Sequence, residues 1–250
     1  MNSIEQHFAA SAFAIIGHRG AAGIAPENTL PGFERALQLG CSMVELDVHV
    51  TKDEAGRQAL LVIHDAKVDR TTNGHGRIAD FTTEQLRTLD AGDGQPIPLL
   101  REIVDLLHRH RANTGATAAL NIELKGAHTA MLVASALQKI HAIPVLVSSF
   151  DHAELQHFRQ LDATTPIGVL FDRYRQDWPE IAASLTATTI NISQRVATTK
   201  RVQAMRDAGY RVFVYTVNST REGLRLQDMG ASGVFTDRPD ILMVLQKNSA

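Results

Sequence analysis

Four short motifs hold residues able to do chemistry together. His18-Arg19-Gly20 follows an apolar run, Glu45 and Asp47 stand two apart inside MVELDV, His64-Asp65 closes LLVIH, and Glu123 and Lys125 stand two apart in ALNIELK. Residues i and i+2 of a strand share a face, so Glu45 projects with Asp47, and Glu123 with Lys125. Three carboxylates with no thiol among them make an oxygen donor set for one hard divalent cation, Mg²⁺ or Ca²⁺, with water and substrate oxygens completing the shell. Buried acids need some counter-charge, and a metal-free salt-bridge network with Arg19 and Lys125 would also supply it. A guanidinium fork and an ammonium in the same place suit a phosphate group. His18 and His64 would flank that phosphate as general acid and base, because imidazole exchanges its proton near neutral pH. The other nine histidines, His7, His49, His75, His108, His110, His128, His141, His152 and His157, are assigned to the surface or to turns.

Such residues need a scaffold that brings several strand ends to one rim. Short β-branched runs, each followed by a helical pattern and then Gly, Pro or Asp, predict strands at 14–18, 43–48, 119–124, 145–150, 166–171, 189–193, 211–217 and 233–237. Helices are expected near 29–39, 98–110, 128–141, 152–160, 176–185, 198–208, 220–229 and 239–247. Eight alternating strands and helices predict a TIM (β/α)8 barrel, in which reactive residues stand at the C-terminal strand ends and in the loops after them. LLVIH at 60–64 is a ninth strand, too close behind Val50 for a parallel crossover. It should therefore pair antiparallel with the upper end of the second strand, turning around Asp53-Glu54-Ala55-Gly56 and returning His64 to the level of Asp47. The turn at 53–59 looks longer than a tight hairpin, and residues 51–96 read as an insertion over the mouth of a single domain spanning 1–250.

Composition narrows the partners. The 250 residues are 44% hydrophobic and 21% charged, enough for a sizeable core and unlike a disordered chain. Lys plus Arg number 25 against 27 Asp plus Glu, a net charge of −2 that gives no electrostatic footprint for nucleic acid or an anionic membrane. One cysteine, Cys41, excludes an internal disulfide framework and Cys-rich zinc modules, and is expected to be a small buried hydrophobe. The N-terminus carries Glu5, lacks a basic region, and has an apolar run too short for a signal peptide or a membrane span, so a cytoplasmic protein is expected. No GxxxxGK[ST] loop, HExxH, CxxC or GxSxG motif occurs.

Taken together, HRG at 18–20, APENT at 25–29, ELD at 45–47, IHD at 63–65 followed by DRTTNGHG at 69–76, ELK at 123–125, YTVN at 215–218 and TDRPD at 236–240 resemble the glycerophosphodiester phosphodiesterase family, in its cytoplasmic bacterial type. The resemblance spans residues 14 to 245. It implies a TIM barrel with an inserted segment after the second strand, and metal-dependent hydrolysis of small soluble glycerophosphodiesters to sn-glycerol 3-phosphate and an alcohol. It also implies His18 and His64 as the acid/base pair, Glu45, Asp47 and Glu123 as metal ligands, Arg19 and Lys125 as phosphate contacts, and Tyr215 as a substrate-lining residue where relatives commonly carry Trp. Two other functions fit the same residues: a lysophospholipase D-like activity on lysophospholipids, and a non-catalytic barrel binding phosphorylated ligands. No basic amphipathic helix or aromatic cluster points to stable membrane association, and the catalytic set lacks no member.

Overall fold

The strand sequences are apolar on both faces, the pattern of parallel strands packed against helices outside and against one another within. In a computed structural model, which describes residues 4–9 and 13–247, they form β1 (Ala14–His18), β2 (Met43–Lys52), β3 (Gln58–Val62), β4 (Ala119–Leu124), β5 (Val145–Ser149), β6 (Ile167–Phe171), β7 (Thr189–Ser193), β8 (Arg211–Tyr215) and β9 (Gly233–Thr236). β1 pairs with β9, and parallel pairing continues through β8, β7, β6, β5, β4 and β2 back to β1. This closed eight-stranded ring is the expected TIM barrel. Helices between successive strands, such as Leu30–Leu39, Leu100–Thr114 and His152–Leu161, cover its outside.

β2 runs four residues beyond the strand expected at 43–48, because its upper half has a second partner. β3 pairs antiparallel with it, Val48 opposite Val62 and Lys52 opposite Gln58, and the amide of Ile63 donates to the Asp47 carbonyl at 3.1 Å. The turn occupies Asp53–Arg57, with Gly56 in the left-handed region at φ 78°. His64 thus returns to the level of Asp47, as the chain spacing requires. Beyond it the segment up to Leu99 packs Val68, Ile78, Leu86, Ala91, Ile97 and Leu99 against Leu61 and Ile63 in a separate apolar cluster. Within that segment lie a 3₁₀ turn at Ile78–Asp80 and a short helix at Thr83–Arg87. Arg87 ties the segment to the barrel helix Leu100–Thr114 by a two-pronged ion pair with Glu102.

β3 lies two residues earlier than the expected 60–64, because its ladder with β2 begins at Gln58, and two helices also differ from the sequence expectation. The final helix breaks at Met243 into Pro239–Leu242 and Val244–Lys247. A helix at Ile4–Ala9, absent from the expected set, closes the barrel's lower end. Its Ile4 and Phe8, one turn apart, pack on Ala14, Ile16, Met43, Ala119, Leu146, Phe213 and Phe235, the inward apolar layer. Six residues are too few for periodicity to stand out in sequence. With the lower end filled, the open end of the barrel is the upper one. Cys41 is buried in the core after the helix Leu30–Leu39, as expected, and desolvation pushes its thiol up to about 12. Among the described residues no helix is long and apolar enough to cross a membrane.

Candidate active site

Strand register sets the site. His18 lies opposite Glu45 across β1 and β2, and Asp47 opposite Glu123 across β2 and β4, so the first strands deliver one histidine and three acids to a single rim. After β1 the chain turns sharply through Arg19 (φ 50°) and Gly20 (φ 85°). A Cβ at Gly20 would come within 2.6 Å of the Gly32 backbone, so only glycine lets the turn sit against the start of the next helix. The turn aims the Arg19 amide at Glu45 Oε2 (2.9 Å) and sends its guanidinium to Glu27 Oε1 (3.0 Å) and Asp47 Oδ2 (3.4 Å). Asn28 donates to the same Asp47 oxygen at 3.0 Å.

These groups surround a cavity of about 200 Å³ lined by His18, Arg19, Glu45, His64, Glu123 and Lys125 on one side and by Phe150, Leu170, Tyr215 and Phe235 on the other. Asn121 also lines it, its Oδ1 accepting from the Ser148 hydroxyl at 2.9 Å. Seven of the eight sequence-predicted site residues therefore meet at one cavity. The eighth, Asp47, does not line it; only 1% exposed, it stands behind the wall between Arg19, Asn28 and Lys125.

Glu45, Asp47 and Glu123 each offer an oxygen within 4.8 Å of the others. Lys125 Nζ approaches Glu123 Oε1 at 2.5 Å and Asp47 Oδ1 at 3.3 Å, whereas Oε1 of Glu45 is buried without a hydrogen bond among the described residues. Burial, with Asp47 and Glu123 beside it, drives the Glu45 carboxyl well above the usual carboxylate range. Burial and Asp47 raise Glu123 to about 7 despite Lys125. Asp47 goes the other way: burial pushes it up, but Lys125 and Arg19 outweigh that and hold it low. Three acids facing two cations, one of which Arg19 shares with Glu27, leave the cluster short of positive charge. A buried Glu45 oxygen with no hydrogen bond, set between two other carboxylates, fits a divalent cation as their common counter-charge.

Both histidines are oriented by carboxylates that the sequence reading left without a role. His18 Nδ1 meets Asp237 Oδ1 at 2.6 Å, and His64 Nδ1 meets Asp65 Oδ1 at 2.5 Å. Each pairing fixes the ring through Nδ1 and leaves Nε2 for the cavity. Asp237 is braced by the Asn218 amide (2.8 Å) and Asp65 by Arg70 Nε (2.6 Å). Hydrogen bonding to Arg70, against a smaller effect of burial, lowers Asp65 to about 2, so it is ionised near neutral pH. All four lie inside motifs already visible, but only Asp65 adjoins its histidine in sequence, so it alone carried a local signal. Tyr215 lines the cavity edge-on to Phe150, 5.7 Å between ring centroids, with its hydroxyl buried and unpartnered among the described residues. Three histidines are not the surface or turn residues expected. His49 is on β2 and donates to the His64 carbonyl at 3.1 Å, His152 donates to the Leu170 carbonyl at 3.1 Å, and His7 donates to the Ser42 carbonyl at 2.7 Å. Each ring nitrogen supplies a donor to a backbone carbonyl at or beside a strand.

Comparison with known proteins agrees with this arrangement. Bacillus subtilis YhdW is 34% identical over 245 residues, covering 92% of this chain and 96% of its own length. A glycerophosphodiester phosphodiesterase of Caldanaerobacter subterraneus subsp. tengcongensis is 31% identical over 238 residues, covering 92% of this chain and 96% of that protein. An Oleispira antarctica phosphodiesterase, solved in complex with the product sn-glycerol 3-phosphate, superposes with a TM-score of 0.85 at 28% identity, covering 95% of this chain and 98% of that one. The glycerophosphoryl diester phosphodiesterase family profile matches residues 18–241, and the chain belongs to that family.

Proposed function

We propose that this protein hydrolyses small soluble glycerophosphodiesters, such as glycerophosphocholine or glycerophosphoethanolamine, to sn-glycerol 3-phosphate and an alcohol. The observation that carries the reading is a pair of histidines, each held through Nδ1 by a carboxylate, facing one cavity beside three clustered acids and two cations. The chain acts as one domain over residues 1–250, with 51–96 as an insertion that contributes His64. Glu45, Asp47 and Glu123 hold one Mg²⁺ or Ca²⁺, the all-oxygen donor set suiting either. When bound, that ion draws charge from the non-bridging phosphate oxygens, a contribution of several kcal/mol.

The chain's own groups do the rest. Arg19 and Lys125 contact the phosphate, and one histidine Nε2 removes the proton from the attacking oxygen. As the new P–O bond forms and the P–O bond to the alcohol breaks, the other histidine gives its proton to the leaving oxygen. The attacker is water, or the substrate's 2-hydroxyl with a cyclic phosphate then opened by water. Tyr215, Phe150, Leu170 and Phe235 line the apolar side, where the glycerol carbons fit. A cavity near 200 Å³ is below the range of roughly 300–1,000 Å³ typical of drug-sized ligands, in keeping with a small one.

One observation favours the same chemistry on a lysophospholipid: Ile24, Phe150 and Tyr174, in loops on the mouth side of the barrel, are 40–42% exposed. Turnover of glycerophosphocholine against lysophosphatidylcholine decides between them, the former expected to be faster. Chelation with EDTA should abolish activity and Mg²⁺ or Ca²⁺ restore it; activity untouched by chelation would return the acids to a salt-bridge role. Binding of glycerophosphocholine without any hydrolysis in the metal-loaded protein would leave a non-catalytic barrel.

A further inference from the structure

Three groups around the mouth do not line the cavity, yet they join residues that do. Arg70 Nε donates to Asp65 Oδ2 at 2.6 Å, and its two terminal nitrogens grip both oxygens of Glu27 at 2.7 and 2.8 Å. Glu27 Oε1 also accepts from Arg19 at 3.0 Å, and the far oxygen of Asp65 holds His64 Nδ1 at 2.5 Å. The result is one unbroken run of charge-assisted hydrogen bonds, His64–Asp65–Arg70–Glu27–Arg19, its four charged members alternating in sign from the acid/base side to the phosphate side. Glu27 belongs to the loop after β1, whereas Asp65 and Arg70 belong to the segment after β3, so the run bridges two stretches of chain that no ladder hydrogen bonds join. The Arg70 side chain is 47% exposed and the Glu27 side chain 18%, placing the bridge on the rim.

We infer that Arg70 and Glu27 are positioning residues for the reaction, fixing the His64 ring and the Arg19 guanidinium in one relative geometry. The inference rests on the acid/base reading of His64. Its physical basis is the fork: one planar guanidinium satisfies two carboxylates at set angles, which a lysine ammonium cannot reproduce. Loss of Arg70 frees Asp65 to rotate away from Nδ1 and lets Glu27 draw Arg19 off the phosphate position. Misplacement of reacting groups by about 1 Å can cost on the order of 10²-fold.

The test measures kcat, KM and thermal unfolding of the Mg²⁺-loaded protein with glycerophosphocholine for Arg70→Gln, Asp65→Asn and the double variant. Each single change should lower kcat about 10- to 100-fold with KM moving less than about threefold, and the double variant should be no more than about threefold below the worse single, because both cut one link. Arg70→Lys should stay within a few-fold of Arg70→Gln. The inference is overturned if Arg70→Gln keeps kcat within twofold of the parent, if the two losses multiply, or if Arg70→Lys restores the parental rate. Glu27→Gln, which keeps shape and removes only charge, answers the same question by the same criteria if Arg70→Gln does not fold. His64→Ala separates the two levels. Full turnover in that variant defeats the acid/base reading, whereas its loss beside parental turnover in Arg70→Gln defeats the positioning role alone.

Discussion

His18 stands at the end of β1 and is held by Asp237 at the end of β9, a residue 219 positions away that barrel closure brings alongside; His64 stands beyond β3 and is held by its own neighbour, Asp65. The braces behind them differ in kind. Asp237 is held by the neutral Asn218 amide, and Asn218 is itself held by the Thr236 hydroxyl and the Asp237 amide. Asp65 is held by a cation, and that cation by another anion. Parallel strands with a fixed register already set the position of His18, so a short amide suffices. His64 is carried on a segment outside the ring, where longer side chains and formal charge must span the gap. A site assembled from two such sources has one histidine fixed by the sheet and one fixed by ion pairs.

The two clamps converge on the same reaction, so the largest effect falls on the histidines themselves. His18→Ala and His64→Ala should each lower kcat by about 10²–10⁴-fold, the range for a positioned acid or base, with folded structure retained by circular dichroism. A histidine whose removal leaves the rate within a few-fold of the parent would break the symmetry at its root. Next come the carboxylates. Asp237→Asn and Asp65→Asn keep shape but present an amide that permits the wrong tautomer, and each should cost about 10- to 100-fold in kcat with little change in KM. If Asp237→Asn costs nothing, the sheet alone orients His18 and its clamp is a bystander.

Between the clamps lie the acids, whose effect is on stability before it is on rate. Burial raises Glu123 from 4.5 in the unfolded chain to about 7 in the fold. From about pH 4.5 to about pH 7 the metal-free fold therefore binds a proton that the unfolded chain has released, and by linkage stability falls as pH rises across that window. Glu123→Gln removes this dependence. The melting temperature of the chelated wild type should thus drop relative to Glu123→Gln between pH 5 and pH 8, by roughly 2–4 °C for each kcal/mol lost, and added Mg²⁺ should reverse the drop. A pH-independent difference between the two proteins would show that the acids carry no shared charge deficit.

What the sequence made legible follows the same division. The barrel was readable because strands buried on both faces must be apolar throughout, and because strand-end motifs such as HRG, ELD and ELK break that rule where function requires it. The return of His64 was readable from chain length alone, since the gap from Val50 to Leu60 admits only an antiparallel partner. The His18–Asp237 pair was not, because it exists only once β9 closes beside β1. The ion-pair bridge through Arg70 was hidden for a related reason: DRTT and PENT were visible as words, but nothing in their spacing says that two loops meet. His49 was misread because β2 extends past the barrel to pair with β3, converting an expected turn histidine into a donor for the His64 carbonyl.

The smallest expected effect tests the comparison most directly, because it perturbs one brace without mutation. Raising salt from about 0.1 M to about 1 M shortens the screening length from roughly 10 Å to roughly 3 Å, and weakens exposed ion pairs far more than a neutral amide contact. Arg70 is 47% exposed, while the Asp237–Asn218 brace has no cation in it. At saturating substrate, where binding of the charged phosphate no longer limits the rate, kcat of the parent should fall a few-fold over that range. Asn218→Ala should be slower but keep the same salt slope, since its loss leaves the ionic brace in place. Arg70→Gln should be slower and nearly flat, since the salt-sensitive link is already gone. An unchanged slope in Arg70→Gln would mean that salt acts elsewhere in the site, and that the two histidines are held by forces of the same kind.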